Sequence, residues 1–414
     1  MILFTLLTLT ALVSGVQEAP ATAGQRLLSD PAMKTALDRL KRAEPQIIEE
    51  QVRLCEIPAP PFKETARAAA YMKAFQALGL QKVRIDGVGN VLGERPGLAP
   101  APHLLFSAHL DTVFPEGTKV ETTRTGTIIK GPGISDDCRG LAVVLGVIRA
   151  LNEGNIQTAG PITFAGTVGE EGLGDLRGVK HLFNEELKGK IDRFVSVDGA
   201  GLGITHVAVG SLRYRVTFKG PGGHSYDAFG LANPVHALGR AVARIANLQV
   251  PRQPKTTFNV GRIGGGTSVN SIAAEAWIEV DMRSADQAAL TALDAGFQKT
   301  LDLALAEENE RWGNNGRLTM EKKVVGNRPA GRLGADAPIV QAALSVSRAL
   351  GFEPRVAEGS TDANMAISLG VPGVAIDAGG TATGTHALEE TFDTTNSWQG
   401  TARAFLLALA LSQK

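Results

Sequence analysis

Short apolar runs alternate with helical patterns along most of the 414-residue chain, and this alternation constrains the fold more than any other feature. The runs at 103–109, 161–168 and 194–197 are typical of buried strands. Helical spacing marks the segments 66–80 and 141–151, which lie before and after the first of these runs. Buried strands that alternate with helices predict an α/β layered domain with a largely parallel sheet. Ligands of such sheets bind at the carboxyl ends of the strands.

The pattern changes near residue 210. Alternating strand patterns and amphipathic helices then follow in the order 212–219, 234–248, 256–263, 272–283, 286–308 and 318–325. This β-α-β-β-α-β order is ferredoxin-like and predicts one sheet face in solvent. A helical pattern at 338–350 and a buried strand at 371–378 then return. We therefore predict that residues 210–326 form a small domain inserted into a larger one made of 24–209 and 327–414.

Composition narrows the classes of partner. Lys plus Arg and Asp plus Glu number 42 each, so no net charge favours nucleic acid or an acidic membrane surface. The two cysteines, Cys55 and Cys138, are too few for a disulfide scaffold. We expect both to be reduced and structural.

The N-terminal residues contain an apolar run at 2–13, followed by small and polar residues. Because the run is too short to span a bilayer comfortably, residues 1–23 are predicted to be a signal peptide, cleaved after Gly15 or Ala23. The protein is then expected to be exported, to the periplasm or outside the cell, without stable membrane insertion. No Lys or Arg precedes the run, so either the true start lies upstream or the signal is atypical. An uncleaved membrane anchor and a buried N-terminal helix are the alternatives.

The candidate chemical residues are His109, Asp111, Asp136, Glu170, Glu171, Asp198 and His386. Most of them stand just after a predicted strand, whereas Asp136 precedes a predicted helix and His386 lies beyond the strand that ends at Ala378. A single such residue is usually a satisfied polar group or a helix cap. Several together, mixing two imidazoles with carboxylates, fit a divalent-metal site, with zinc the first candidate. Their number exceeds what one tetrahedral zinc ion needs, which favours two metals that share a carboxylate.

Six stretches of the chain resemble the motifs of a known enzyme family. They are SAHLDTV, GPGISDDCRG, TVGEEGLGD, VSVDG and GTHALEE, with GPGGHS in the inserted region. They resemble the co-catalytic dinuclear zinc metallopeptidases that include glutamate carboxypeptidase, peptidase T, carnosinase, succinyl-diaminopimelate desuccinylase and aminoacylase. The resemblance covers the chain from about residue 46 onward. It implies a three-layer zinc-exopeptidase-like catalytic domain with an inserted ferredoxin-like α+β lid or dimerisation domain.

The resemblance also implies a role for each residue of the cluster. The implied ligands of two Zn²⁺ ions, with Co²⁺ or Mn²⁺ as alternatives, are His109 and Asp198 on one metal, Glu171 and His386 on the other, and Asp136 bridging both. Asp137 falls on a variable position and is expected to be a neighbour. Glu170 matches the general base, and Asp111 matches the acid that orients His109.

The inserted region adds three implied residues. His224 resembles a histidine that reaches the active site from the inserted domain of a partner subunit, which implies a homodimer. Asn270 and Arg283 resemble positions that hold the substrate backbone and its terminal carboxylate, and a guanidinium suits a carboxylate. A turn histidine at position 224 and a surface ion pair at position 283 are the structural alternatives. The chain departs from the family at Arg139, because Lys often stands behind the bridging carboxylate.

The implied reaction is hydrolysis of an amide bond in a small peptide. Water activated between the two metals would attack the carbonyl, with Glu170 taking its proton and passing it to the leaving amine. Deacylation of an N-acyl amino acid uses the same chemistry and is the alternative. A non-catalytic dimeric binding protein on this fold is a remote third hypothesis.

Overall fold

The computed structural model describes residues 22–413. Within this range the α-helices are α1 (Ala23–Ser29), α2 (Pro31–Cys55), α3 (Thr65–Ala77), α4 (Cys138–Glu153), α5 (Arg177–His181), α6 (Pro234–Ala246), α7 (Gln287–Arg311), α8 (Pro338–Ala349), α9 (Ala363–Ser368) and α10 (Trp398–Ser412). The strands of the first half are β1 (Gln81–Ile85), β2 (Val91–Arg95), β3 (Leu104–His109), β4 (Thr123–Thr125), β5 (Ile128–Lys130), β6 (Ile162–Thr167), β7 (Arg193–Val197) and β8 (Ile204–Ala208). The remaining strands are β9 (Gly210–Lys219), β10 (Gly223–His224), β11 (Thr256–Gly265), β12 (Ser271–Ile272), β13 (Glu275–Ser284), β14 (Thr319–Arg328), β15 (Gly331–Arg332), β16 (Val356–Gly359), β17 (Gly373–Ile376), β18 (Thr381–Thr383) and β19 (Thr391–Asp393).

The largest sheet lies at the centre of the molecule. Its strand order is β1-β2-β6-β3-β7-β17-β8-β15, with β16 beside β8. The central strands β6, β3, β7 and β17 are parallel, and β1 and β2 add an antiparallel edge. Every residue of β3 and β6 is buried, which explains why both strands have continuous apolar runs instead of alternating patterns.

Helices cover both faces of this sheet. Side chains of β3 alternate between the faces: Leu104 and Phe106 pack in the core formed with α2, α4, α8 and α10. Leu105 packs on the opposite face with Val179 of α5 and Ala366 of α9. The arrangement of helix, sheet and helix confirms the predicted three-layer α/β class.

A second, antiparallel sheet forms the inserted region. Its order is β11-β13-β9-β14, and α6 and α7 pack on one face. Ala276, Ile278 and Val280 of β13 are buried toward these helices, and the residues between them are half-buried or exposed on the other face. The ferredoxin-like prediction is confirmed. The last strand continues to Arg328, two residues beyond the predicted end of the insertion at 326.

A small sheet of order β18-β19-β5-β4 connects two distant parts of the chain. Its strands are three residues long and largely exposed, so their sequences carry no strand pattern that could have predicted them. The sheet places the hairpin β18–β19, which contains His386, beside the segment that leads from β5 to Asp136.

The described chain begins at Thr22, which caps α1. The predicted signal peptide lies almost entirely outside the described residues and stays a prediction. Across residues 22–413, no helix has both the length and the apolar character needed to cross a membrane. Cys55 and Cys138 are both buried and belong to one small apolar cluster.

Candidate metal centre

The predicted site residues meet at the carboxyl ends of the central parallel strands. His109 is the last residue of β3, Glu170 and Glu171 follow β6, and Asp198 follows β7 directly. Asp136 lies in the loop before α4. The order of the strands, β6-β3-β7, therefore sets these side chains side by side.

His109 and His386 contact opposite oxygens of Asp136. Nε2 of His109 lies 2.9 Å from Asp136 Oδ1, and Nε2 of His386 lies 3.1 Å from Asp136 Oδ2. The His386 ring nitrogen also lies 3.0 Å from Glu171 Oε1, and the His109 Nε2 lies 3.9 Å from Asp198 Oδ1. Asp136 thus stands between two sets of donor groups.

Ligand atoms within 4.8 Å of one another form two three-residue groups around Asp136. The groups are His109 with Asp136 and Asp198, and Asp136 with Glu171 and His386. A third group joins His109 with Glu170 and Glu171. The structure brings together every residue predicted to bind metal, and their ligand roles stay a prediction.

The electrostatics of the cluster favour cations. Burial, followed by the negative charge of Asp136, raises the pKa of Asp198 well above its usual range. Hydrogen bonding to Asp136, and then to Glu171, raises the pKa of His386 to about 10. Burial lowers the pKa of His109, but the nearby carboxylate of Asp111 and the hydrogen bond with Asp136 outweigh it, so the net pKa is raised. The raised pKa values of both imidazoles reflect the negative charge of the surrounding carboxylates, which metal cations would also offset.

Asp111 supports the site through two different groups. Its carbonyl oxygen lies 3.0 Å from Nδ1 of His109, whereas its Oδ1 lies 3.7 Å away. The carboxylate instead accepts hydrogen bonds from the backbone N–H groups of Glu170 and Glu171, at 3.0 and 2.8 Å. The predicted orientation of His109 is therefore made mainly by the backbone, and the side chain fixes the two glutamates.

Asp137 is a neighbour of the cluster, as the sequence indicates. Its carboxylate accepts from the N–H of His109 at 2.9 Å and caps α4 through the N–H of Gly140 at 3.0 Å. A Cβ at position 140 would lie 2.1 Å from Asp137 Oδ1, so this approach requires glycine. Arg139, which stands where the family often has Lys, is buried and donates to Glu44 of α2 and to the carbonyl of Ala378, which follows β17.

Glu170 is buried against Arg328, which was not among the predicted site residues. Nη1 of Arg328 donates to Glu170 Oε1 at 3.1 Å and to Ser360 Oγ at 3.2 Å, and Nη2 donates to the carbonyl of Glu170. Burial raises the pKa of Glu170 to about 8, despite the opposing charge of Arg328. No sequence pattern marks Arg328 as a site residue, because it ends strand β14 and a single charged residue at a strand end has no periodicity.

Asp362 is a second residue that was not assigned a chemical step. It is buried, and its Oδ2 accepts from the Thr167 hydroxyl at 2.6 Å. Its Oδ1 has no hydrogen-bond partner among the described residues, and burial raises its pKa to about 6. A single aspartate at the start of the short helix α9 has no sequence pattern that marks it as a site residue.

The three residues predicted from the inserted region lie outside this cluster. His224 pairs with Ser271 between β10 and β12, beside Asn270, and both His224 and Asn270 line an open cavity of about 740 Å³. None of the described residues lining this cavity belongs to the metal cluster. Arg283 donates to Asp281 at 2.7 Å on the open face of the inserted sheet. Within one chain Arg283 forms the surface ion pair that was its structural alternative, and its role toward substrate stays a prediction.

Two imidazoles and several carboxylates at the carboxyl ends of parallel strands, in an α/β domain with an insertion, define a metal-dependent hydrolase. Residues 105–410 match the model of Peptidase family M20/M25/M40, and the chain belongs to this family. The predictions of a metallopeptidase and of the family are thereby confirmed.

Relatives of known description agree with this assignment. The chain is 29% identical to a succinyl-diaminopimelate desuccinylase of Nitrosospira multiformis, over 58% of this chain and 67% of the relative. It is 28% identical to carboxypeptidase G2 of Pseudomonas sp., over 68% and 74% of the two chains. The crystal structure of aminopeptidase PepT from Bacillus cereus has the same fold, with a TM-score of 0.70, 23% identity, and coverage of 90% and 99%.

Proposed function

We propose that this metallopeptidase is a dinuclear zinc exopeptidase that acts on small peptides. One observation carries the proposal: the two carboxylate oxygens of Asp136 face the imidazoles of His109 and His386, at 2.9 and 3.1 Å. A carboxylate shared in this way could hold two metal ions close together, as in two-metal hydrolases.

The donor set fits two zinc ions. Imidazole and carboxylate ligands without a thiolate suit zinc, and Co²⁺ or Mn²⁺ are the alternatives. His109 and Asp198 would hold one ion, Glu171 and His386 the other, and Asp136 would bridge them. When bound, the ions supply Lewis-acid chemistry, which polarises an amide carbonyl and acidifies water.

Glu170 is the residue proposed to move protons. It is buried, its backbone N–H is held by Asp111, and it belongs to neither of the two groups that share Asp136. Burial raises the pKa of Glu170 to about 8 in the metal-free protein, and bound cations would lower it, so the carboxylate could take a proton from water and return it to the leaving nitrogen. Arg328 donates to one oxygen of this carboxylate and restricts its orientation.

A homodimer belongs to the proposal. His224 and Asn270 line a cavity in the inserted domain that does not include the metal cluster of the same chain. A second copy of the chain could bring this cavity to the neighbouring metal centre. His224 would then donate to the oxyanion that forms during amide hydrolysis.

Deacylation of N-acyl amino acids is the second candidate, favoured by the similarity to a desuccinylase. Both reactions cleave an amide bond beside a carboxylate-bearing amine, so the cluster serves either. The test is release of free amino acid by zinc-loaded protein from dipeptides, tripeptides and N-acyl amino acids, with chelator-treated protein as control. We expect peptides to be the better substrates. Preference for N-acyl amino acids would replace the first candidate by the second, and no release from any compound would contradict both.

We also propose that the protein is exported, because the N-terminal apolar run is typical of a secretory signal. Sequencing the N-terminus of the mature protein tests this. A chain that still begins at Met1 after expression in its source would contradict cleavage.

A further inference from the structure

Glu390 ends the hairpin loop that carries His386. It directly precedes β19, which pairs with β18 and closes the loop, and its side chain is fully buried. The neighbouring Glu389 is largely exposed and contacts Lys130 instead. A buried carboxylate at this position requires hydrogen-bond donors.

Those donors come from the loop that carries Asp136. The N–H of Gly133 donates to Glu390 Oε2 at 2.9 Å, and the N–H and hydroxyl of Ser135 donate to Oε1 at 2.8 and 2.5 Å. The N–H of Gly131 also donates to the Glu390 carbonyl at 3.0 Å. Because Ser135 directly precedes Asp136, these bonds fix the backbone immediately before the shared carboxylate.

The backbone and the side chain of His386 both depend on contacts from other parts of the structure to keep their positions. His386 has a φ of +70°, which is unfavourable for a residue with a Cβ and persists only where surrounding structure holds it. Its side chain is about half exposed, so packing contributes little to its position. Metal–ligand distances tolerate deviations of only about 0.2 Å, so the hairpin and the Asp136 loop must keep a fixed separation.

The other side of the cluster has its own support. The Asp137 carboxylate accepts a hydrogen bond from the backbone N–H of His109. This bond joins the Asp136 loop to strand β3 and does not depend on Glu390. Loss of the Glu390 side-chain contacts would loosen the Asp136 loop against the His386 hairpin, which stays paired with β5 through β19.

We propose that Glu390 is a positioning residue that joins the Asp136 loop to the His386 hairpin and sets the metal affinity of the Asp136, Glu171 and His386 group. This inference rests on the proposed function, because it requires metal binding at the cluster. Glu390 touches neither substrate nor metal and acts through the backbone of the two loops.

The test compares Glu390→Gln with Glu389→Gln as a matched control. A glutamine amide at position 390 must turn its NH₂ group toward a backbone N–H of Gly133 or Ser135. Two hydrogen-bond donors then face each other, and the hydrogen bond at that position is lost. Zinc is titrated calorimetrically into chelator-treated protein, and thermal unfolding of the metal-free variants is followed separately. We expect wild-type protein and Glu389→Gln to bind two equivalents alike. Glu390→Gln should bind one equivalent normally and the other about tenfold more weakly.

Ser135→Ala removes only the hydroxyl contact with Glu390, and it provides the test if Glu390→Gln does not fold. It should weaken the same equivalent of zinc in the same direction, by a smaller factor. A purely structural role would lower the unfolding temperature of the metal-free protein and leave both zinc affinities unchanged, which would overturn the inference. Equal weakening at both positions would also overturn it. Failure of the wild-type protein to bind zinc would overturn the proposed function, and this inference with it.

Discussion

Replacing Glu170 by glutamine separates proton transfer from metal binding. The amide keeps the size of the side chain, and its oxygen can still accept from Arg328, which lies 3.1 Å from Glu170 Oε1. The backbone bond to Asp111 does not depend on the side chain. Because neither group that shares Asp136 includes Glu170, we expect zinc affinity to stay at the wild-type level.

The expected magnitudes follow from the environment of Glu170. Removing a general acid/base lowers kcat by about 10²–10⁴-fold, which corresponds to about 3–5 kcal/mol in the barrier. Stability should change much less. Since burial raises the pKa of Glu170 to about 8, the carboxyl is mostly neutral at pH 7 in the metal-free protein. Glutamine then replaces a neutral group, and the free energy of unfolding should change by less than about 1 kcal/mol.

The assay measures initial rates on the best peptide together with zinc content after dialysis, with Glu389→Gln as an exposed control. We expect a variant with full zinc content, a wild-type unfolding temperature and a rate lowered at least about 100-fold. A rate near that of the wild type would refute the proton-transfer role. A parallel loss of zinc and rate would refute the division of labour in which Glu171 binds metal and Glu170 moves protons.

Further predictions concern protons and subunits. Zinc binds neutral imidazole, whereas the pKa of His386 is raised to about 10 and that of His109 is also raised, so zinc binding at pH 7 should release protons. The released protons should make the measured heat of zinc binding depend on the ionisation enthalpy of the buffer. A heat that is the same in all buffers would contradict this prediction. Because folding raises the pKa of His386 to about 10, the contacts of protonated His386 stabilise the metal-free protein fully below about pH 6.5. This stabilisation is lost as the pH rises through about 10, so the unfolding temperature of the metal-free protein should fall across that window. A constant temperature there would count against the contacts of His386. If His224 acts across a dimer, mixing inactive Glu170→Gln and His224→Ala proteins should restore activity in hybrids with one intact site, and no recovery after verified subunit exchange would exclude action in trans.

The fold and the polar cluster could be predicted because their signals are local. His109 is the last residue of a buried strand, and Glu170 and Asp198 stand within three residues after one. Parallel strands bring such positions to the same edge of the sheet, and this placement does not depend on the conformation of the loops between the strands. Strand patterning alone therefore placed these residues together.

The supporting residues could not be found in this way. Arg328 lies 158 residues from Glu170, Asp362 lies 195 residues from Thr167, and Glu390 lies 255 residues from Ser135. A single charged residue in a loop has no periodicity, and its partner is set by how the loops pack. Arg283 is the opposite case. It resembles a family position that holds the substrate carboxylate, whereas its guanidinium pairs with Asp281 of the same chain.

The central claim is that two metal ions share Asp136, and anomalous diffraction from zinc-loaded crystals at the zinc absorption edge tests it most directly. The proposal predicts two peaks about 3.5–4 Å apart, one beside His109 and Asp198 and the other beside Glu171 and His386. A single peak, or two peaks that do not both contact Asp136, would contradict it.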